Sequence, residues 1–248
     1  LMAQFIMEPL LTIDQMKAVD QAAIDQTEIP EIVLMEHAAL GIVRALSCRF
    51  GALLPDTRGV IVAGPGNNGG DALAAARILH QAGGRHMFVM LGSEKNISPS
   101  TNVQLKILDK LAIDRDRQVT SELLSACDWI IDGIFGTGLT REVQGVYKDA
   151  IEKINSVAGK KWVVSADIPS GLSANTGNPL GIAVSASETI TFGFCKRGLV
   201  TGKAADYVGK ITIDPIQIPR KIPFAVDTFL YGPVDAARLP LRRPSGHK

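Results

Sequence analysis

Apolar residues recur along this chain in two rhythms. Ile13, Met16, Val19 and Ala23 share one face at helical spacing, which predicts a helix over 11–26 with Thr12 or Asp14 placed to cap it. A second helix is expected over about 30–50, with Pro30 suited to its first turn. Short, nearly continuous apolar runs at 59–63, 86–91, 129–132, 162–166 and 189–192 then read as strands. Helical patterns at 71–81, 100–111, 120–126 and 146–157 separate the early ones. Strands that are apolar on both sides and alternate with helices imply a parallel sheet covered on both faces, with right-handed crossovers. A further strand at 210–213 is expected near an edge. After Ile216 the pattern thins, and Pro219, Pro223, Pro233, Pro240 and Pro244 suggest an irregular wrap or linker. No repeat or low-complexity segment interrupts the series.

Composition narrows the class. A chain of 248 residues, 46% hydrophobic, fits one large α/β domain with ample core. A formal net charge of +1 argues against a nucleic-acid stripe or a membrane-attracted surface. No apolar stretch reaches the roughly 18 residues of a membrane span, and residues 1–10 lack the basic start of a signal peptide. Cys48, Cys127 and Cys195 are odd in number and far apart, so they read as buried thiols of a reducing compartment, and a cytoplasmic protein is expected.

The densest chemistry lies in Gly64-Pro65-Gly66-Asn67-Asn68-Gly69-Gly70-Asp71, between the run Val60-Ile61-Val62-Ala63 and a helical stretch. Glycines let backbone approach a ligand or adopt positive φ, and a following helix turns free N–H groups to the same spot, a site for phosphate. Such a turn equally serves close helix–strand packing. The pattern is neither G-x-G-x-x-G nor G-x-x-x-x-G-K-[ST], which disfavours an ordinary NAD dehydrogenase and a P-loop NTPase. The paired asparagines tolerate tight turns and carry carbonyl oxygens able to ligate a cation.

Two more strands end in polar turns: Asp132-Gly133-Ile134-Phe135-Gly136-Thr137-Gly138 and Asp167-Ile168-Pro169-Ser170-Gly171. In open α/β sheets the ligand site lies beyond the carboxyl ends of the strands, at the switch in strand order, so all three segments are expected around one crevice. Asn68, Asp132 and Ser170 supply oxygen ligands there, with Asp167 beside them. Each also reads as an ordinary turn former, and Thr137 and Thr140 as solvated loop residues. His37, His80, His86 and His247 pair with no cysteine or carboxylate at metal spacing, which speaks against zinc. No G-x-S-x-G elbow occurs. An oxygen-only site suits a hard cation, and one carboxylate among neutral oxygens suits a monovalent one.

Together these three motifs resemble the NAD(P)H-hydrate epimerase family, the YjeF N-terminal domain, from about residue 11 to 218. The resemblance implies an α/β fold of the Rossmann-like three-layer α/β/α kind with a mostly parallel sheet, as a homodimer. It divides the chain into an epimerase domain, 1–218, and a C-terminal wrap or linker, 219–248. It implies interconversion of the R and S forms of hydrated NADH or NADPH, with bound potassium (K+). By motif, Asn67, Asn68, Gly69, Gly70 and Asp71 would contact the hydrated dinucleotide, as would Gly136, Thr137, Gly138, Leu139, Thr140, Arg141 and Glu142. Asp167 would approach its reactive end as the catalytic acid–base, and Asn68, Asp132 and Ser170 would hold potassium. The same fold also serves as a non-catalytic binding scaffold, and retention of Asp132, Asp167 and both asparagines favours the enzyme.

This chain departs from the family pattern in places. Ala72 stands where another glycine is common, and Ser173 and Asn175 replace two acids. Residues 239–248 look like the junction at which bifunctional members enter an ADP- or ATP-dependent dehydratase domain. Lys196, Arg197 and Lys203 flank a further glycine-bearing loop and read chiefly as solvated surface charges, with phosphate contact as the alternative.

Overall fold

The computed structural model describes residues 8–93, 96–218 and 225–230. In chain order the elements are β1 (Glu8–Leu11), α1 (Ile13–Thr27), α2 (Glu31–Phe50), β2 (Arg58–Ala63), α3 (Asn67–Gln81), β3 (Arg85–Met90), α4 (Pro99–Lys110) and β4 (Arg115–Asp116). There follow α5 (Ser121–Ser125), β5 (Trp129–Gly133), α6 (Val146–Val157), β6 (Trp162–Ala166), β7 (Glu188–Phe192), β8 (Cys195–Lys196), β9 (Lys210–Asp214) and β10 (Phe229–Leu230). Local chemistry explains several boundaries. Thr12 caps α1 through a reciprocal pair with Gln15. Ser98 caps α4, with Pro99 at its first position.

Seven strands form one sheet in the order β4-β3-β2-β5-β6-β7-β9, and every neighbouring pair is parallel. Alternate residues of each strand feed opposite layers. Ile61, Ala63, Trp129, Ile131, Val164 and Ala166 pack with α1, α2, α3 and α4. Val60, Val62, Ile130 and Val163 pack with α5 and α6 on the other face. This is the Rossmann-like three-layer arrangement. Because β2 has β3 on one side and β5 on the other, the strand order reverses there, and a crevice opens beyond the carboxyl ends of β2 and β5.

The structure departs from these expectations in three places. Asn67 to Asp71 is not a loop before a helix: α3 begins at Asn67 and takes these residues into its first turns. A small second sheet, β10-β1-β8, has no counterpart in the periodicity, because strands of two to four residues are too short to show one. Its β10 lies within the stretch expected to be irregular. Cys48 is exposed, whereas Cys127 and Cys195 are buried as expected. The tail at 239–248, read as a domain junction, lies outside the described residues. No helix among the described residues is long and apolar enough to cross a membrane.

Candidate active site

A cleft of about 770 Å³ occupies the strand switch. One wall is the β2–α3 turn: Pro65, Gly66, Asn67, Asn68 and Asp71. The other is the segment after β5, which includes Gly136, Thr137, Gly138, Leu139, Thr140 and Arg141. Asp167, Phe192 and Lys196 lie at the strand ends, and Met16, Asp20, Ile24, Leu34 and Met35 reach in from α1 and α2. Of the residues singled out by sequence, Gly69, Gly70 and Glu142 do not border this cleft. Gly69 and Gly70 serve packing instead. A Cβ on Gly69 would lie 1.9 Å from the Gly64 carbonyl oxygen, and one on Gly70 would lie 2.3 Å from the Met35 methyl. Gly64 itself is pressed against the other wall, 1.9 Å from a hypothetical Cβ to the Ile134 oxygen. None of these glycines, nor Gly66, takes positive φ. Their value is close approach, which brings the two walls together.

α3 starts without a side-chain cap. Its first-turn amides therefore sit beside the cleft with no side-chain acceptor, the arrangement that receives an anion. Asn67 is held by Ser98, whose hydroxyl donates to its side-chain oxygen at 2.6 Å.

Beneath the cleft, Asp132 and Ser170 are fully buried and line no part of it. The Asp132 carboxylate accepts from the Ser165 hydroxyl (2.7 Å), the Ser170 amide (2.9 Å), the Ser170 hydroxyl (2.5 Å) and the Ile134 amide (3.3 Å). Burial pushes this carboxyl above its ordinary range, and those hydrogen bonds pull against the shift. The Ser170 hydroxyl also accepts from the Phe135 amide at 2.9 Å and lies 3.2 Å from the Phe135 carbonyl. Asp132 and Ser170 thus fasten the ends of β5 and β6 to each other. Asn68 lies against Gly136, 3.3 Å from the position of a Cβ there. Both atoms of its side-chain amide are buried without a partner, which is costly unless something else meets them. An orphaned amide oxygen is a donor that a hard cation would accept. Among the described residues, no group of three or more His, Cys, Asp or Glu side chains is placed to hold a metal.

Asp167 follows β6 with φ of 64°, the left-handed region, where a non-glycine residue is strained. Lys196 donates to its Oδ1 at 2.5 Å, to the Thr191 hydroxyl at 3.1 Å and to the Phe192 carbonyl at 2.6 Å. Lys196 is 2% exposed and Asp167 14%. This corrects the expectation that Lys196 is a solvated charge. A lone lysine among Phe192, Phe194 and Cys195 was the available signal, since lysine is almost never fully buried unless paired. Lys203 is exposed, as expected, and Arg197 is half-buried and donates to the Asn175 carbonyl.

Two further acids meet this pair. Burial, first, and the Asp167 charge raise the Asp20 carboxyl from 3.8 to about 6, with Lys196 opposing. Burial, then the charges of Asp167 and Glu31, push Asp71 well above the carboxylate range, again against Lys196. Only Asp167 is bonded to the ammonium; Asp20 and Asp71 feel its charge and that of Asp167. Asp20 and Asp71 thus hold their protons more tightly than ordinary carboxyls do, which suits them to acid–base work. Asp20 carried no sequence signal.

The two replaced acids hold backbone. The Ser173 hydroxyl accepts from the Thr176 amide at 3.3 Å, and the Asn175 side chain accepts from the Ile13 amide at 2.9 Å, tying its loop to the start of α1.

Comparison with known proteins agrees with this architecture. The NAD(P)H-hydrate epimerase of Limosilactobacillus fermentum is 40% identical over 208 residues, 83% of this chain and 96% of that protein. The bifunctional NAD(P)H-hydrate repair enzyme Nnr of Thermofilum pendens is 35% identical over 95% of this chain, which spans 45% of that longer protein. The crystal structure of yeast ynu0 shares the fold, with a TM-score of 0.73 at 20% identity, covering 90% of this chain and 99% of that one. The family described as YjeF-related protein N-terminus matches residues 31–198, and the chain belongs to that family.

Proposed function

We propose that this chain is an NAD(P)H-hydrate epimerase, an isomerase that interconverts the R and S forms of hydrated NADH and NADPH. The observation that carries this reading is the 40% identity to an epimerase across 96% of that enzyme's length. The cleft at the strand switch gives it a physical basis. The uncapped amides of α3, beside Gly66 and Asn67, suit the phosphates. The segment from Gly136 to Arg141 faces them and would hold the rest of the dinucleotide.

Hydration leaves a hydroxyl on carbon 6 of the nicotinamide ring. Inversion there proceeds by loss and re-addition of water through an iminium-like cation. Asp167 is the proposed proton carrier at the ring, and the Lys196 ammonium fixes the orientation of its carboxylate. Asn68, Asp132 and Ser170 are the residues that would hold a potassium ion, which when bound would supply a fixed positive charge. The unpartnered amide of Asn68 supports that assignment.

The test mixes the protein with one purified epimer of hydrated NADPH and follows the other by chromatography, with and without potassium. Conversion well above the uncatalysed rate is expected. No acceleration under either condition overturns the reading.

A further inference from the structure

α1 turns one stripe into the cleft, and Met16, Asp20 and Ile24 lie four residues apart along it. Asp20 is the charged residue that this helix brings to the cleft. It faces the strand ends, where Asp167 and Lys196 lie, and feels the charge of both. The three hydrogens of the Lys196 ammonium are taken by Asp167, Thr191 and Phe192. Asp20 therefore receives the field of that cation without a hydrogen bond from it, and its side chain has no hydrogen-bond partner among the described residues. The other charged groups bordering the cleft are Glu31, Asp71 and Arg141.

An enzyme that inverts carbon 6 must release a hydroxyl from one face of the ring and deliver water to the other. One carboxyl fixed at the strand ends reaches one face. We propose that Asp20 is the second catalytic carboxyl, working from α1 on the ring face opposite Asp167; this rests on the epimerase reading. In one direction Asp20, as the acid, gives its proton to the carbon 6 hydroxyl. The C–O bond breaks, its electron pair leaves with the departing water, and the lone pair of the ring nitrogen forms the C=N bond of the cation. Water then adds to the opposite face. The new C–O bond forms, the C=N pair returns to nitrogen, and the Asp167 carboxylate takes the proton. One proton has moved from Asp20 to Asp167, and exchange with solvent or the reverse reaction restores it. A carboxyl lifted to about 6 serves as acid and as base in turn.

The experiment follows each epimer of hydrated NADPH in water enriched in oxygen-18, with wild type, Asp20→Asn and Asp20→Glu. Inversion and label uptake into unconverted substrate are measured across pH. In Asp20→Asn, inversion is expected to fall by about 10²–10⁴, while label uptake with retained configuration persists for the epimer whose hydroxyl faces Asp167. Asp20→Glu is expected to keep part of the inversion, with a displaced pH profile. Thermal unfolding establishes that both variants are folded. Wild-type inversion in Asp20→Asn overturns the proposal, and so does parallel loss of inversion and label uptake for both epimers. If Asp20→Asn does not fold, an Asp20→Glu profile identical to wild type overturns it. A wild-type protein that inverts neither epimer overturns the epimerase reading itself, a distinct result.

Discussion

Asp132 and Asp167 leave neighbouring parallel strands, β5 and β6, and face opposite circumstances. Asp132 is fully buried and accepts four hydrogen bonds, from Ser165, Ser170 and Ile134. Those bonds fasten two strand ends to each other. Asp167 borders the cleft in a strained backbone conformation and is bonded to the Lys196 ammonium, whose charge Asp20 and Asp71 also feel. Side-chain type is the same at both places. The difference lies in how completely each acid is satisfied, and that separates an acid that holds structure from one left open to the cleft.

Breaking the reactive side should have the largest effect. Asp167→Asn is expected to lower epimerisation by about 10²–10⁴ while dinucleotide binding is retained. It also leaves the buried Lys196 ammonium without its carboxylate, so stability should fall. Adding Lys196→Met is expected to restore stability but not turnover, as read by thermal unfolding and steady-state rates. Recovery of activity in the double variant would contradict the role given to Asp167.

Breaking the structural side comes next. Asp132→Ala removes the acceptor from two serine hydroxyls and two amides beneath the cleft and is expected to cost about 3 kcal/mol in urea unfolding. A variant as stable as wild type would show that this carboxylate does not join the strand ends. Asn68→Ala sharpens the contrast, because its amide has no protein partner to lose. Little change in stability is expected, together with a higher potassium requirement for half-maximal activity. An unaltered requirement would place the ion elsewhere.

The smallest effect concerns pH. The folded Asp20 carboxyl titrates at about 6 against an ordinary 3.8, so the folded state binds the proton more tightly. Its contribution to stability is greatest below about 4 and is lost as pH rises through about 6. Asp20→Asn should remove this loss and be slightly more stable than wild type at pH 8 but not at pH 4. Equal pH slopes in thermal unfolding would count against a buried, charge-coupled Asp20.

Much of this was legible in the sequence. The main strands and their helices announce themselves because buried parallel strands are apolar on both sides, and α6 and β6 fall where the pattern puts them. The three motifs were legible because turns at strand ends need particular residues. The start of α3 was hidden, since Asn-Asn-Gly-Gly has poor helix propensity and its helical turn is packed tightly against Met35 and Thr101, contacts the local sequence does not show. Asp20 was hidden because an acid beside an apolar helical stripe looks the same whether it faces solvent or a cleft. The partnership of Lys196 with Asp167 depends on β8, two residues held in place by β1, and no local pattern encodes it.

That last contact sets the order in which the molecule comes together. Leu10 and Leu11 pair with Cys195 and Lys196, while Glu8 and Pro9 pair with Leu230 and Phe229. During synthesis the early strands and helices can dock as they emerge, but the segment bearing the ammonium reaches the strand paired with it only when nearly the whole described chain has been translated. Such distant pairing is slow to form. A nascent chain would thus carry β2, β3, β5 and β6 before it carried a competent cleft floor, and catalytic competence would arrive as a late event in maturation.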